Sequence, residues 1–351
     1  MRGDYDITIV HGAELSDHDI AQSCELNNVI NAEILPDDPP TPTATAIART
    51  RALPERIRRI SVRAKTPDGS LVGISSFRID PEHDDNPDML MVSCLVHPEH
   101  RRKGVATRLL SELVTLARAE GRSRMIGETF AAVPAGPAFA EAVGGEVKAR
   151  QHLNHLPVPE IDRALMDAWV KEGPVRAAGY ELVAWDGPTP EEHLEQFANI
   201  VLVMNSAPRD DLEMNDFTLT PEMVREMERQ IFQGGLEMWT IVARRSSDGG
   251  FAGLHNVAWE PNEPENVYVH MTGVQPEDRG HALGKWLKAV MTLRILDERP
   301  GVTDIRTGNA DSNEAMLGIN RQMGYRPLVG ADVWEVSVDT AAGWLASHGT
   351  E

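Results

Sequence analysis

The stretch Val96-His97-Pro98-Glu99-His100-Arg101-Arg102-Lys103-Gly104-Val105-Ala106 closes an apolar run and opens an amphipathic one. Half a chain length later, Val274-Gln275-Pro276-Glu277-Asp278-Arg279-Gly280-His281-Ala282-Leu283-Gly284 does the same. Each reads as a buried strand, a Pro-Glu turn, an Arg-x-x-small-x-small loop and a helix start. Such a layout leaves the first N–H groups of a helix unpartnered and aims them at an anion. Small residues at the fourth and sixth loop positions let a pyrophosphate approach the backbone. In the first copy Arg101, Arg102 and Lys103 stand where the helix dipole is already positive, so they cost stability unless an anion joins them. A solvated charge cluster is the alternative for one loop alone. Two copies with matching flanks predict one anion-gripping unit present twice.

A chain of 351 residues is long enough for two such units, each with its own core. Its net charge of −20 opposes nucleic-acid binding and draws cations to any carboxylate-lined cleft, although acidic surfaces also serve solubility alone. The N-terminus lacks a signal-peptide pattern and no apolar run is long enough to span a bilayer, so a cytoplasmic protein without membrane attachment is expected. Cys24 and Cys94 lack metal-site spacing, and Cys94, inside an apolar strand, reads as an inert core thiol.

The order of elements repeats as well. In the first half a strand at 7–10 precedes a helix from Asp17, which Ser16 can cap. A proline-rich surface loop around 36–43 follows, then a hairpin over 59–79 with its turn at Pro67-Asp68-Gly69-Ser70, the central strand 89–96, and a helix with Leu109, Leu110, Leu113 and Leu116 on one face. A packed linker helix carries Ile161, Leu165, Ala168 and Trp169. The second half runs through a strand at 181–185, helices near 191–203 and from Pro221, a hairpin over 238–259, the central strand 267–274, the loop helix, a strand at 304–307, a helix at 312–323 and a strand at 325–336. A short C-terminal helix near 340–347 closes the chain.

With these features the chain resembles the GCN5-related N-acetyltransferase (GNAT) superfamily, as a tandem of two domains. The resemblance covers nearly the whole chain and rests on the phosphate signature Gln/Arg-x-x-Gly-x-Gly/Ala. Arg101 to Ala106 matches it fully; Arg279 to Gly284 departs at Ala282, where Gly280 is a candidate for compensation. The resemblance implies an α/β (α+β) fold: two tandem GNAT folds, each a mixed, mostly antiparallel sheet flanked by helices and splayed at its central strands. It implies acetyl-CoA as co-substrate, with the pyrophosphate on Arg101, Arg102, Lys103, Gly104, Val105 and Ala106, or on Arg279, Gly280, His281, Ala282, Leu283 and Gly284. The pantetheine arm would run along the strands ending at Val96 and Val274, and near Asn309 and Asn313. Asn313 is equally a helix cap.

In the family the base is commonly reached from the central strand, in a register that falls on Leu90 in the first half and Tyr268 in the second. Strand alternation then sets Val92 and Cys94 beside Leu90, but His270 and Thr272 beside Tyr268. His270 suits a general base, since its unperturbed pKa lies near working pH; a structural histidine is the alternative. Tyr268 is a proton relay or a strand aromatic, and Glu237 is an alternative carboxylate. The tyrosine that many family members use as acid is replaced by Asn320, which donates a hydrogen bond but no proton.

These readings give an N-terminal domain over 1–156, degenerate in catalysis, a linker over 157–178, and a catalytic C-terminal domain over 179–351. The expected activity is acetyl transfer from acetyl-CoA to the amine of a small molecule, in a monomer or homodimer; Asp210, Asp211, Glu213 and Asp216 are candidates to recognise a cationic acceptor, or else form a charged loop in solvent. The arrangement is similar to that of mycothiol synthases, whose C-terminal half is the active one. A non-catalytic acetyl-CoA sensor is the competing reading.

Overall fold

The computed structural model describes residues 4–348. Along the first part run strand β1 (Asp6–His11), helices α1 (Asp17–Ile34) and α2 (Thr43–Arg51), strands β2 (Arg58–Lys65), β3 (Leu71–Ile79) and β4 (Met89–Val96), helix α3 (Val105–Ala119), strand β5 (Arg124–Phe130), helix α4 (Ala135–Ala142) and strand β6 (Glu146–Pro157). Helix α5 (Arg163–Arg176) leads to β7 (Tyr180–Asp186), α6 (Leu194–Val201), α7 (Pro221–Gln233), β8 (Glu237–Arg245), β9 (Phe251–Trp259) and β10 (Asn266–Val274). Helix α8 (Leu283–Glu298), β11 (Asp304–Ala310), α9 (Glu314–Met323), β12 (Arg326–Ser337) and α10 (Val338–His348) complete the chain.

Local chemistry sets many of these boundaries. Ser16 accepts the Asp19 N–H at 3.1 Å and starts α1; Thr220 accepts the Met223 N–H and Pro221 takes the first helical position of α7. The β2–β3 turn places Gly69 at φ +88°, a left-handed conformation that favours glycine. Helix α2 lies in what the sequence reads as irregular chain after the proline-rich stretch. It buries none of its residues, so it carries no apolar stripe to betray it.

Two compact units form, and they interleave along the chain. Unit 1 takes the described residues up to Gln151, Arg209–Asn215 and the chain from Val329; unit 2 takes His152–Pro208 and Asp216–Leu328. The linear halves are therefore not the units. The cause is β12, which from Ala331 to Ser337 pairs antiparallel with β5 and so completes the sheet of unit 1, while Val338 and Ala341 of α10 enter the core around Leu90, Leu113 and Met125. Unit 1 orders its strands β1-β2-β3-β4-β5-β12, and unit 2 orders them β6-β11-β10-β9-β8-β7. The unit 2 core centres on α5, α8 and the β8–β10 face. Its linker helix packs so closely that a Cβ on Gly173 would come within 2.4 Å of the Trp286 ring.

The splay expected of each sheet is present. Strand β4 pairs with β5 only over Met89–Met91, and β10 with β11 only over Asn266–Val269, whereas both keep their antiparallel partner through to Val96 and Val274.

Two expectations are corrected. Cys94 is exposed where its strand leaves β5, so it is not a core thiol; Cys24 is the buried one. Asp210, Asp211 and Glu213, assigned by sequence to the second half, belong to unit 1: Asn215 donates its N–H to Asn86 Oδ1 at 2.7 Å and the Asp211 N–H donates to Lys148 O at 2.9 Å, all within that unit. No described helix is long and apolar enough to cross a membrane.

Candidate active site

The two phosphate loops share one backbone course. Arg102 and Gly104 take φ +60° and +85°, and their counterparts Gly280 and Ala282 take φ +87° and +60°. Glycine stands at the fourth position in one loop and at the second in the other, so each copy places one side-chain-bearing residue in the left-handed region. In unit 2 the first intrahelical bond of α8 runs from Trp286 N–H to Ala282 O, which leaves the N–H groups of Leu283, Gly284 and Lys285 directed past the helix start. Arg108 N–H to Gly104 O plays the same part for Val105 and Ala106 in unit 1.

The leading arginines turn inward instead of toward an anion. Arg279 donates Nε–H to Val274 O at 3.2 Å and Nη2–H to Ser206 Oγ at 2.8 Å. Arg101 repeats the first bond to Val96 O and forks onto Glu33 at 2.9 and 2.5 Å. Both arginines thus brace the loop on its strand. That changes the charge argument for unit 1: only Arg102 and Lys103, both exposed, remain at the helix start without a carboxylate partner among the described residues.

These braces reveal the strand edge. Gln275 donates its N–H to Ala252 O on β9, so alternation turns both polar groups of Val274 to the opposite side, where β11 has departed. The Arg279 bond to Val274 O agrees. Val96 stands the same way, since His97 N–H goes to Val72 O. Each unit therefore offers one unpaired strand N–H directly before its phosphate loop.

Only β10 is bulged in the ladder beside this edge. Val269 pairs with Val257 and Met271 with Asn256, leaving His270 as the extra residue; β4 pairs with β3 in unbroken register. The bulge breaks the alternation assumed from sequence. Thr272 does not share a face with Tyr268. It pairs in register with His255 and bonds its Nδ1 at 2.8 Å. His270 instead lines a pocket of about 130 Å³ with Met271, Asn256, Thr240, Met238 and Phe197. Its ring meets solvent at the opening while protein atoms wall the rest, and this desolvation lowers its pKa below 6.5.

The other sequence candidates lie elsewhere. Tyr268 accepts a hydrogen bond from Arg306 Nη1 at 3.1 Å, and Arg306 is also paired with Asp304. Asn320 is 1% exposed and donates Nδ2–H to Asn309 Oδ1 at 2.8 Å, tying α9 to β11. It and Asn309 form a brace, and Asn320 does not join His270. Asn313 Oδ1 accepts the Met316 N–H and caps α9, leaving its amide N–H groups free to donate. Glu237 pairs with Arg299 at 2.6 Å.

Residues 33–144 match the Acetyltransferase (GNAT) family. The chain is 25% identical over 301 residues to a mycothiol acetyltransferase of Mycobacterium ulcerans, covering 82% of this chain and 83% of that one, and 26% identical over 265 residues to that of Mycobacterium marinum, covering 72% of each. Among solved structures it resembles a tandem GNAT protein from the clavulanic acid biosynthesis pathway, with a TM-score of 0.76, 22% identity, and 95% and 99% of the two chains covered. A GNAT protein from Sphaerobacter thermophilus superposes with a TM-score of 0.65 at 14% identity, over 96% and 97% of the chains. The chain carries a GNAT acetyltransferase domain over residues 33–144. It is an acyltransferase with the tandem GNAT fold.

In this tandem acetyltransferase, three buried ionisable groups of unit 2 escaped the sequence reading. Asp278, 3% exposed, takes Arg245 on both oxygens and the Tyr180 hydroxyl at 2.7 Å, pinning the loop base to β7 and β8. Burial raises its pKa, but those bonds outweigh burial and hold it below 3.8. Lys288, 1% exposed on α8, is driven down to about 7 by desolvation. His255, 2% exposed, is held well below 6.5 by burial and then by the charge of Lys288. A usable signal existed: Lys288 falls three and seven residues before Met291 and Ile295, on the apolar side of its helix.

Proposed function

We propose that unit 2 transfers an acetyl group from acetyl-CoA to the amine of a small molecule whose neighbouring group is apolar. The observation that carries this reading is the bulge that sets His270 in a pocket beside the open edge of β10. The left-handed loop and the N–H groups at the start of α8, which have no intrahelical partner, suit a pyrophosphate, and the unpaired N–H of Val274 suits an acyl carbonyl. Acetyl-CoA supplies the activated thioester.

On the protein side, Leu283 and Gly284 N–H hold phosphate oxygens while Arg279 keeps the loop on its strand. His270, neutral at working pH, accepts the proton of the incoming ammonium directly or through water. Asn320 takes no part, so water protonates the leaving thiolate. Phe197, Met238 and Met271 line the pocket, and its carboxylate, Glu228, is already engaged by Arg225 and the Thr189 N–H. An apolar flank on the acceptor follows from that lining, and the chain's negative charge aids the approach of its ammonium. Unit 1 retains the loop but has Leu90 and Val92 where unit 2 has its base, and so acts as a second cofactor-type domain without catalysis.

The test is thiol release from acetyl-CoA with a panel of primary amines graded in apolar bulk. Turnover should vanish in Ala282→Glu and persist in Gly104→Glu. Turnover that survives Ala282→Glu would move the chemistry to unit 1.

A further inference from the structure

Unit 1 holds a pocket of about 280 Å³ between α1, α2 and the β2–β3 hairpin. It occupies the place in unit 1 that the His270 pocket occupies in unit 2, yet its chemistry is different. Arg49, Arg59, Arg63 and Arg78 all line it, and no carboxylate does.

The placement of these arginines is costly for an empty pocket. Arg59 and Arg78 are direct cross-strand partners in the β2–β3 ladder, so two guanidinium groups sit side by side, and like charges so placed repel. Arg63 follows on the same face of β2, is fully buried, and has no acceptor for its Nε–H. Its other nitrogens reach Ser23 Oγ at 2.9 Å, the Asp19 carbonyl at 3.1 Å and Gln22 Oε1 at 3.4 Å, and the Asp19 carboxylate stands 3.6 Å away. Arg59 reaches only Thr50 Oγ1, at 3.4 Å, and Arg78 has no hydrogen-bonding or ionic partner among the described residues. Desolvation by the surrounding protein atoms lowers the pKa of both, although Arg78 also meets solvent, and Arg78 and Arg63 add their repulsion at Arg59. Elsewhere in the unit, arginines are matched: Arg56 with Asp80, Arg58 with Glu120, Arg101 with Glu33. In a chain with an excess of 20 negative charges, no carboxylate among the described residues pairs with Arg59 or Arg78.

We propose that this pocket is a binding site for a small polyanionic metabolite bearing carboxylate or phosphate groups, held by Arg59 and Arg78 as a paired fork. Guanidinium groups match either oxyanion bidentately, and Asn31 on the pocket wall offers a neutral donor to the rest of the ligand. The site is separate from the phosphate loop of the same unit and does not depend on which unit performs acetyl transfer.

The experiment is calorimetric titration of the full-length protein with citrate and, separately, inorganic pyrophosphate, at ionic strength fixed with sodium chloride. Saturable binding of at least one probe is expected, weakened at least tenfold in Arg78→Gln and in Arg59→Gln and unchanged in Gly104→Glu. Citrate alone would assign carboxylates, pyrophosphate alone phosphates. Because the charges repel one another without ligand, Arg78→Gln should also melt at the same or a higher temperature than the wild type when no anion is present. A purely structural arginine would make it melt lower. If Arg59→Gln does not fold, the exposed Arg78 carries the test. Binding of neither probe, affinity unchanged in Arg78→Gln, or loss only in Gly104→Glu would overturn the proposal.

Discussion

Asn256 Oδ1 accepts the backbone N–H of Met271 at 2.8 Å, so a fully buried side chain supplies the acceptor that the bulge at His270 removes from the ladder. Its amide in turn donates toward Met238 Sδ at 3.6 Å. Asn256→Leu would leave the Met271 N–H buried and unmet, at a cost of about 1–3 kcal/mol. Thermal denaturation should show that loss, and turnover should fall with it as His270 loses its setting. Full activity in a stable Asn256→Leu protein would mean that the bulge holds without its brace.

His270 is predicted to act as base. His270→Ala should lower turnover by roughly 10² or more, with the KM for acetyl-CoA little changed. Since desolvation depresses its pKa, the neutral form persists to lower pH, and the acid limb of the kcat/KM profile should lie below 6.5. An unaltered profile in His270→Ala would remove it from the mechanism.

The repeat of loop and flanking elements was legible because a helix start that grips an anion needs small residues at fixed spacing, and the chain writes that spacing twice. The bulge was not legible: a period-two reading assumes every residue is paired, and one inserted residue changes the face of all that follow. The polar pair His255-Asn256 inside the apolar run of β9 was the trace it left. The transfer of β12 to unit 1 had no local signature either, since which sheet edge a strand completes is decided by distant residues of β5.

Ala282 sits at φ +60°, where the methyl meets the carbonyl crowding that disfavours left-handed backbone. Ala282→Gly should therefore stabilise the protein by up to about 1 kcal/mol, and Gly104→Ala, at φ +85°, should cost at least as much. Chemical denaturation measures both. Ala282→Gly should also bind acetyl-CoA no more weakly than the wild type by calorimetry.

Asp278 fixes the position of the loop through Arg245 and Tyr180. Asp278→Asn leaves Arg245 with its other acidic neighbours, Glu277 and Asp248, each at 3.5 Å, so a buried pair is broken at a cost of about 3 kcal/mol or more. The expected kinetic signature is a raised KM for acetyl-CoA with a smaller change in kcat. A change confined to kcat would show that the anchor acts on chemistry and not on the cofactor loop.

Lys288 predicts the pH dependence of stability. Its folded pKa of about 7 lies below the unfolded 10.5, so between those values the unfolded chain binds more protons and stability rises with pH. Below 7 the full cost of the buried charge is present, while above 10.5 none remains. Lys288→Met, which fills the same volume without a charge, should stabilise the protein at pH 7 by more than about 1 kcal/mol, with the gain shrinking toward pH 10. It should also ease the protonation of His255, whose pKa the lysine depresses. Denaturation of both proteins across pH 6 to about 10 decides the matter. Parallel stability curves would mean that Lys288 keeps its proton throughout, carried by its contact 5.2 Å from the Tyr325 ring centre.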